Sequence, residues 1–311
     1  MAVEVTMENT AVAGSATGAG SRPHGVSWVG RWFPEPGAWI PAVVAAVAFA
    51  VLFAEPMALL LRDWWNNPEA GHGLLLGPLA VFLAYRRGLV EEARAQRALG
   101  LAILLVAVAL RYMAGLAAEL FIMRMSMIMA AVGLIVFLLG FGQIRRWWLP
   151  ITLLVLSVPL PAIVLSSLAF PLQLKASQMG AALLEWRHVP VALAGNVIHL
   201  PGRTLFVTEA CSGLRSLTAL IALGVLIGGL WLRMPLMRVL LVVLTVPVAM
   251  VLNGIRIFLT GFLVYFVDPA LGEGFMHYTE GWVIFAVAFA ILGATAWVLT
   301  RAESLWRERR A

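Results

Sequence analysis

The chain has 311 residues, of which 62% are apolar and 12% charged, and its mean hydropathy is +0.93. Those values exclude an ordinary soluble domain and predict an integral membrane protein. Its net charge of +6 does not point to nucleic acid, because the basic residues fall in short clusters beside apolar segments, the mark of membrane topology.

Residues 1–37 are small and polar and are expected to form a disordered cytoplasmic tail with no removable signal peptide. Apolar runs long enough to cross a bilayer as helix are then expected at about Trp39–Leu61, Leu74–Tyr85, Leu99–Ala118, Leu120–Phe141 and Trp147–Leu165. Ser166–Trp186 is interrupted by Gln173, Lys175, Ser177 and Gln178, so it is expected to lie in the interface or against the bundle. Val189–Phe206 mixes β-branched residues with Gly, Asn and Pro, the pattern of a short β-hairpin or irregular loop.

Three more spans follow, at about Ser212–Leu232, Leu236–Val267 and Tyr278–Thr300, with a bend or break expected at Pro247 and Asn253-Gly254. The predicted fold is therefore an all-α polytopic bundle of about eight spans, residues 38–300, with an extracytoplasmic hairpin or loop. A basic tail, residues 301–311, completes it. Arginine-rich connections alternate along the chain, as at Arg86-Arg87, Arg145-Arg146, Arg233 and Arg301. By the positive-inside bias both termini are expected in the cytoplasm.

The chemistry centres on VTEACSGLRSLT, Val207–Thr218, which holds the chain's single cysteine. Cys211 stands where a polar loop meets an apolar helix, and the unpaired N–H groups and dipole of a helix start favour a thiolate. Alone it reads more simply as a small buried apolar residue. Arg256 in LNGIRIF lies within a span, where a guanidinium needs either a carboxylate, for which Glu280 and Glu209 are available, or a functional anion. Arg215 competes with it for the role of thiolate or oxyanion partner. His277 opens the last span on the same side and can protonate a leaving amine, with His72 in GHG as its rival. Tyr278 offers a hydroxyl. Arg111 and Arg124 are expected to line a polar groove with Glu119 or to snorkel. No metal motif accompanies His188 or His199, and neither metal nor cofactor is expected.

The run EACSGLRSL, then NGIRI, then a histidine before the last span, together with GHGLLLGPL, resembles the exosortase/archaeosortase family of multi-pass membrane transpeptidases. That resemblance implies Cys211 as nucleophile, Arg256 as the arginine of the NG-[IL]-R segment, which includes Asn253, and His277 as third catalytic residue. It implies membrane-anchored exported proteins as partners, recognised by a C-terminal motif, transmembrane helix and basic cluster of the PEP-CTERM kind, in the inner membrane, with an unknown acceptor. Cleavage would pass through a Cys-thioester. Two other classes remain open at this stage: a transporter for an anion, and a transferase acting on lipid-linked sugars or acyl groups.

Overall fold

The computed structural model describes residues 39–67, 69–90, 94–207, 214–268 and 275–308, without the side chains of 39, 41–42, 214–215 and 275–282. The expected tail 1–37, Glu209 and Cys211 lie outside the described residues, as do the side chains of Arg215, His277 and Tyr278.

The structure is mostly helical. It divides into two units, Met1–Val51 and Leu52–Ala311. Most of α1 (Trp39–Leu52) belongs to the first, and its valines 43, 44, 47 and 51 are exposed, as suits a surface meeting lipid. The second unit continues with α2 (Ala54–Asn66), α3 (Gly73–Arg87), α4 (Arg97–Leu116), α5 (Leu120–Leu139), α6 (Phe141–Arg146), α7 (Trp148–Leu156) and α8 (Ala162–Trp186). Strands β1 (Ala192–Ala194), β2 (Val197–Leu200) and β3 (Arg203–Phe206) come next, then α9 (Leu214–Trp231), α10 (Pro235–Phe266) and α11 (Phe275–Glu308).

Among the described residues, four helices are long and apolar enough to cross a membrane: α4, α5, α10 and the Val283–Glu308 part of α11. Counting α1 and α2 as one interrupted span makes five. The expected span Trp147–Leu165 is instead a nine-residue helix, α7, followed by a break and then α8. Pro159 and Pro161 lack the N–H groups that would carry the helix on. Of the bend or break expected in α10, no break is found: the helix runs continuously from Pro235 to Phe266, through Pro247 and Gly254. Gly254 serves packing instead: a Cβ there would come within 2.8 Å of Met179 Cβ on α8. One contact surface further along, Gly261 does the same for Leu184, 2.8 Å from its Cδ1. Small residues in these positions let two apolar helices approach closely, which in lipid is the main source of helix association.

The segment before α9 forms a three-stranded antiparallel meander, β1-β2-β3, with Ile198 opposite Leu193 and Leu205. Its turns use Gly195 and Gly202 at φ +64° and +74°, which a side chain would strain. Alternation along β2 points Ile198 and Leu200 into a core with Leu184, Ile257 and Val264, while His199 faces out. The meander is thereby fixed to α8 and the second half of α10.

Two ends of the second unit differ in chemistry. At one, Arg87 and Arg146 each bond the other's carbonyl oxygen, Arg87 and Arg238 lie over Trp148, and Glu303 accepts the Arg233 and Met234 N–H groups. Fully buried Gln143 secures the turn after α3, accepting from Val90 N–H and donating to the Gly88 carbonyl. At the other end stand Asp63, Glu69, His72, Glu119 and Arg124. The N-terminus of α9 belongs to that second end.

Candidate active site

Arg256 is positioned by α10, one turn beyond buried Asn253 on the same face, and its own carbonyl accepts from Thr260. Both side chains line a narrow gap together with Ser216 and Leu220 of α9 and Ile284 and Phe285 of α11. The helix that begins three residues after Cys211 and the helix that includes position 277 thus both border Arg256. Ser216 is five residues beyond Cys211 in sequence, and Ile284 is seven beyond His277 within one unbroken helix. At 1.5 Å per residue, the backbone of position 277 is about 10 Å along the axis from that of Ile284, toward the end where α9 starts.

The chain entering the cysteine stretch is anchored on its upstream side. Val207 N–H bonds the Asn196 carbonyl, and Asn196 Nδ2 returns a bond to the Val207 carbonyl, both at 3.0 Å. Buried Val207 packs in the same core as Ile198 and Ile257. On the downstream side α9 begins at Leu214. In sequence, Cys211 falls between these two described points, Val207 and the start of α9.

The remaining predicted residues sort into two groups. His72, Arg124 and Glu119 come together around a cavity of about 580 Å³ at the same end, bordered on the α9 side by Thr218 and Ile221. Arg111 does not line it. Its guanidinium pairs at 2.6 Å with Glu55, which is largely exposed. Arg124 also finds a carboxylate, Asp63, at 2.6 Å, although Arg124 itself is only 3% exposed and its Nε has no hydrogen-bond partner among the described residues. Glu119 caps α5 by accepting from Ile122 N–H.

His72, in the turn ahead of α3, donates from Nε2 to the Leu156 carbonyl at 3.2 Å. Burial holds its imidazole below the ordinary value of 6.5, against the raising effect of bonds to the Leu156 and Glu69 backbone. Its flanking motif has a packing explanation. Gly73 and Gly77 leave room for the Trp64 ring, whose Nε1 donates to the Ser157 carbonyl at 2.8 Å. A side chain at either glycine would collide with that indole.

Sequence reasoning missed Asp63, Asn67 and Glu69 as cavity residues, having ended the first span at Leu61. The signal was present in Arg124, because an arginine inside an apolar helix demands a carboxylate, and Asp63 follows an apolar run three spans earlier.

With this geometry in place, comparison with known proteins adds one match: the family model for transmembrane exosortases fits residues 64–294, from the Trp64 anchor through most of α11. No curated protein and no solved structure matches the chain.

Proposed function

The chain belongs to the transmembrane exosortase family, and on that premise we propose that it is a membrane cysteine peptidase and transpeptidase acting on C-terminal sorting signals of exported proteins. The substrate would present a short motif, a transmembrane helix and a basic cluster, with the helix entering from the bilayer. The basic end of the unit faces the cytoplasm of the inner membrane, in keeping with positive-inside asymmetry, and the α9 start faces outward.

In this reading the Cys211 thiolate attacks the carbonyl of the peptide bond preceding the substrate helix. Arg256 holds the thiolate and then the oxyanion of the tetrahedral intermediate, a role worth several kcal/mol where water is scarce. His277 gives a proton to the departing amine, leaving a thioester on Cys211. Arg215 and Glu209 flank the nucleophile in sequence, Asn253 borders Arg256, and Tyr278 adjoins His277, so each is assigned a supporting part.

The observation that carries the reading is the gap where Arg256 and Asn253 meet Ser216 and Ile284. It supports the reading because α9, which starts three residues after Cys211 in sequence, and α11, which includes position 277, both border Arg256. The test is co-expression with an exported reporter bearing such a tail. The intact chain removes the tail, and Cys211→Ala, Arg256→Ala and His277→Ala each retain it. Continued processing by Cys211→Ala would overturn the cysteine mechanism.

A further inference from the structure

The basic end of the second unit gathers positive charge from three distant parts of the chain. Arg87 closes α3, Arg146 closes α6, and Arg238 stands one turn into α10. They meet around Trp148, the first residue of α7, with Arg87 Cζ 5.7 Å and Arg238 Cζ 4.9 Å from the ring centre. Arg87 and Arg146 are joined directly, since each bonds the other's backbone carbonyl. Arg87, Arg238 and Trp148 are half-buried, so the cluster is seated in the bundle and not spread over its surface. Among the described residues none of the three arginines forms an ion pair. Glu303, a carboxylate at this end, directs both oxygens to the Arg233 and Met234 N–H groups instead. Like charges held this close repel: burial, and then the charges of Arg238 and Arg146, hold the Arg87 guanidinium below its ordinary value. Each arginine spends one N–H on a backbone carbonyl, Arg238 on that of Leu232, and most of each guanidinium fork stays uncommitted. An arrangement of this kind is complementary to an anion with several acceptor oxygens, and phosphate is the anion that such forks bind by more than one bond at once.

We propose that Arg87, Arg146 and Arg238 clasp the phosphate of an anionic phospholipid at the basic end of the unit. The first turns of α10 support a lipid as the source of that phosphate. Leu236, Val239, Leu240 and Val243 are exposed there at helical spacing, a stripe that suits acyl chains beside the headgroup. Basic pockets between membrane helices are, as a class, sites for acidic headgroups. Bound in this way, the phosphate relieves the repulsion among the three guanidinium groups and ties together α3, α6 and α10. A choline headgroup carries its own cation next to the phosphate, and the three arginines repel it. The site therefore selects lipids of net negative charge. It is independent of the proposed cysteine chemistry, because Arg256 lies about 27 Å further along α10.

The test is photolabelling of the full-length chain in nanodiscs of phosphatidylcholine, with a trace of phosphatidylglycerol bearing a diazirine near the glycerol end of one acyl chain. Adducts are expected on the peptides covering residues 141–150 and 236–243. Unlabelled phosphatidylglycerol removes them, and the same amount of added phosphatidylcholine does not. Arg87→Gln, Arg146→Gln and Arg238→Gln each lower labelling about tenfold, the effect of losing one hydrogen bond to a charged group. Arg301→Gln makes the same charge change at the same end, beside Trp297, and leaves labelling as it was. An equal fall in Arg301→Gln, or no fall in the three cluster variants, assigns the signal to bulk surface charge and overturns the proposal. Equal competition by phosphatidylcholine overturns it too. If inorganic phosphate displaces the probe as well as phosphatidylglycerol does, the cluster is a site for a soluble anion and the lipid proposal fails. The competition arms use the unaltered chain, so they decide the matter even where a cluster variant does not fold. Lipid binding requires no cleavage and persists in Cys211→Ala, so a failure of the cysteine mechanism is read separately.

Discussion

The Asp63–Arg124 pair offers a quantitative check on the fold at the cavity. Asp63→Ala leaves the guanidinium of Arg124 buried beside an apolar wall with its carboxylate gone. Losing one partner of a buried pair costs about 3–5 kcal/mol, whereas a solvated pair is worth about 0–1 kcal/mol. The two partners differ in exposure, with 4% of the Arg124 side chain open against 36% of that of Asp63. The group left behind is the buried one, so the expected loss is about 3 kcal/mol, at the lower edge of the buried range because water reaches the carboxylate side. Equilibrium unfolding in mixed micelles measures it. Asp63→Leu combined with Arg124→Met removes both charges and is expected to recover most of the loss, giving a coupling of about 2 kcal/mol in a double-mutant cycle. A single-mutant cost under about 1 kcal/mol, or strict additivity in the cycle, would refute the argument that Arg124 depends on Asp63.

Gly254→Ala forces α8 away from α10 next to Asn253 and is expected to cost about 1–3 kcal/mol. Gly293→Ala on α11, where a Cβ meets nothing within 4 Å, serves as the unhindered control in the same unfolding assay, expected to stabilise by up to about 1 kcal/mol. Gln143→Ala strands the Val90 N–H and weakens the turn after α3, for a loss of about 1–3 kcal/mol, seen also as faster amide exchange at residues 88–90. The lowered His72 value means that the folded state resists taking a proton that the unfolded chain accepts. Stability is therefore full above the ordinary value of 6.5 and falls as pH drops below it toward the lowered folded value. His72→Gln removes that acid-side slope, and an unchanged slope would assign it to another group.

Composition and hydropathy made the membrane class legible, because runs of apolar residues have little alternative use. The limits of the helices were harder to read. Pro159 and Pro161 were visible, yet the run Trp147–Leu165 carries no charge and hydropathy alone does not record the broken ladder. Pro247 and Asn253-Gly254 suggested a break that α10 does not have: the helix continues past them, and Gly254 gives room to Met179 across the interface. Arg256 stood out in the sequence because a charged group inside an apolar helix is costly, and it lines a gap with Asn253. Asp63 was not, since its reason lies in a helix more than fifty positions away. Arg111 and Arg124 look alike in sequence, but they lie on different helices and meet different carboxylates, Glu55 and Asp63, and only Arg124 borders the cavity.

The central claim is that the Cys211 sulfur works in the same place as the side chains at 256 and 277. Because Cys211 is the only cysteine, Arg256→Cys and His277→Cys each create a chain with one defined pair, and Trp231→Cys, at the other end of α9, provides a distant pair. Treatment of intact membranes with the shortest phenylene-bridged bis-maleimide, followed by mass spectrometry of the joined peptides, reads proximity directly. Bridging of 211 to 256 and of 211 to 277, with none from 211 to 231, is the predicted result; no bridge to either 256 or 277, with both thiols reactive, would contradict it.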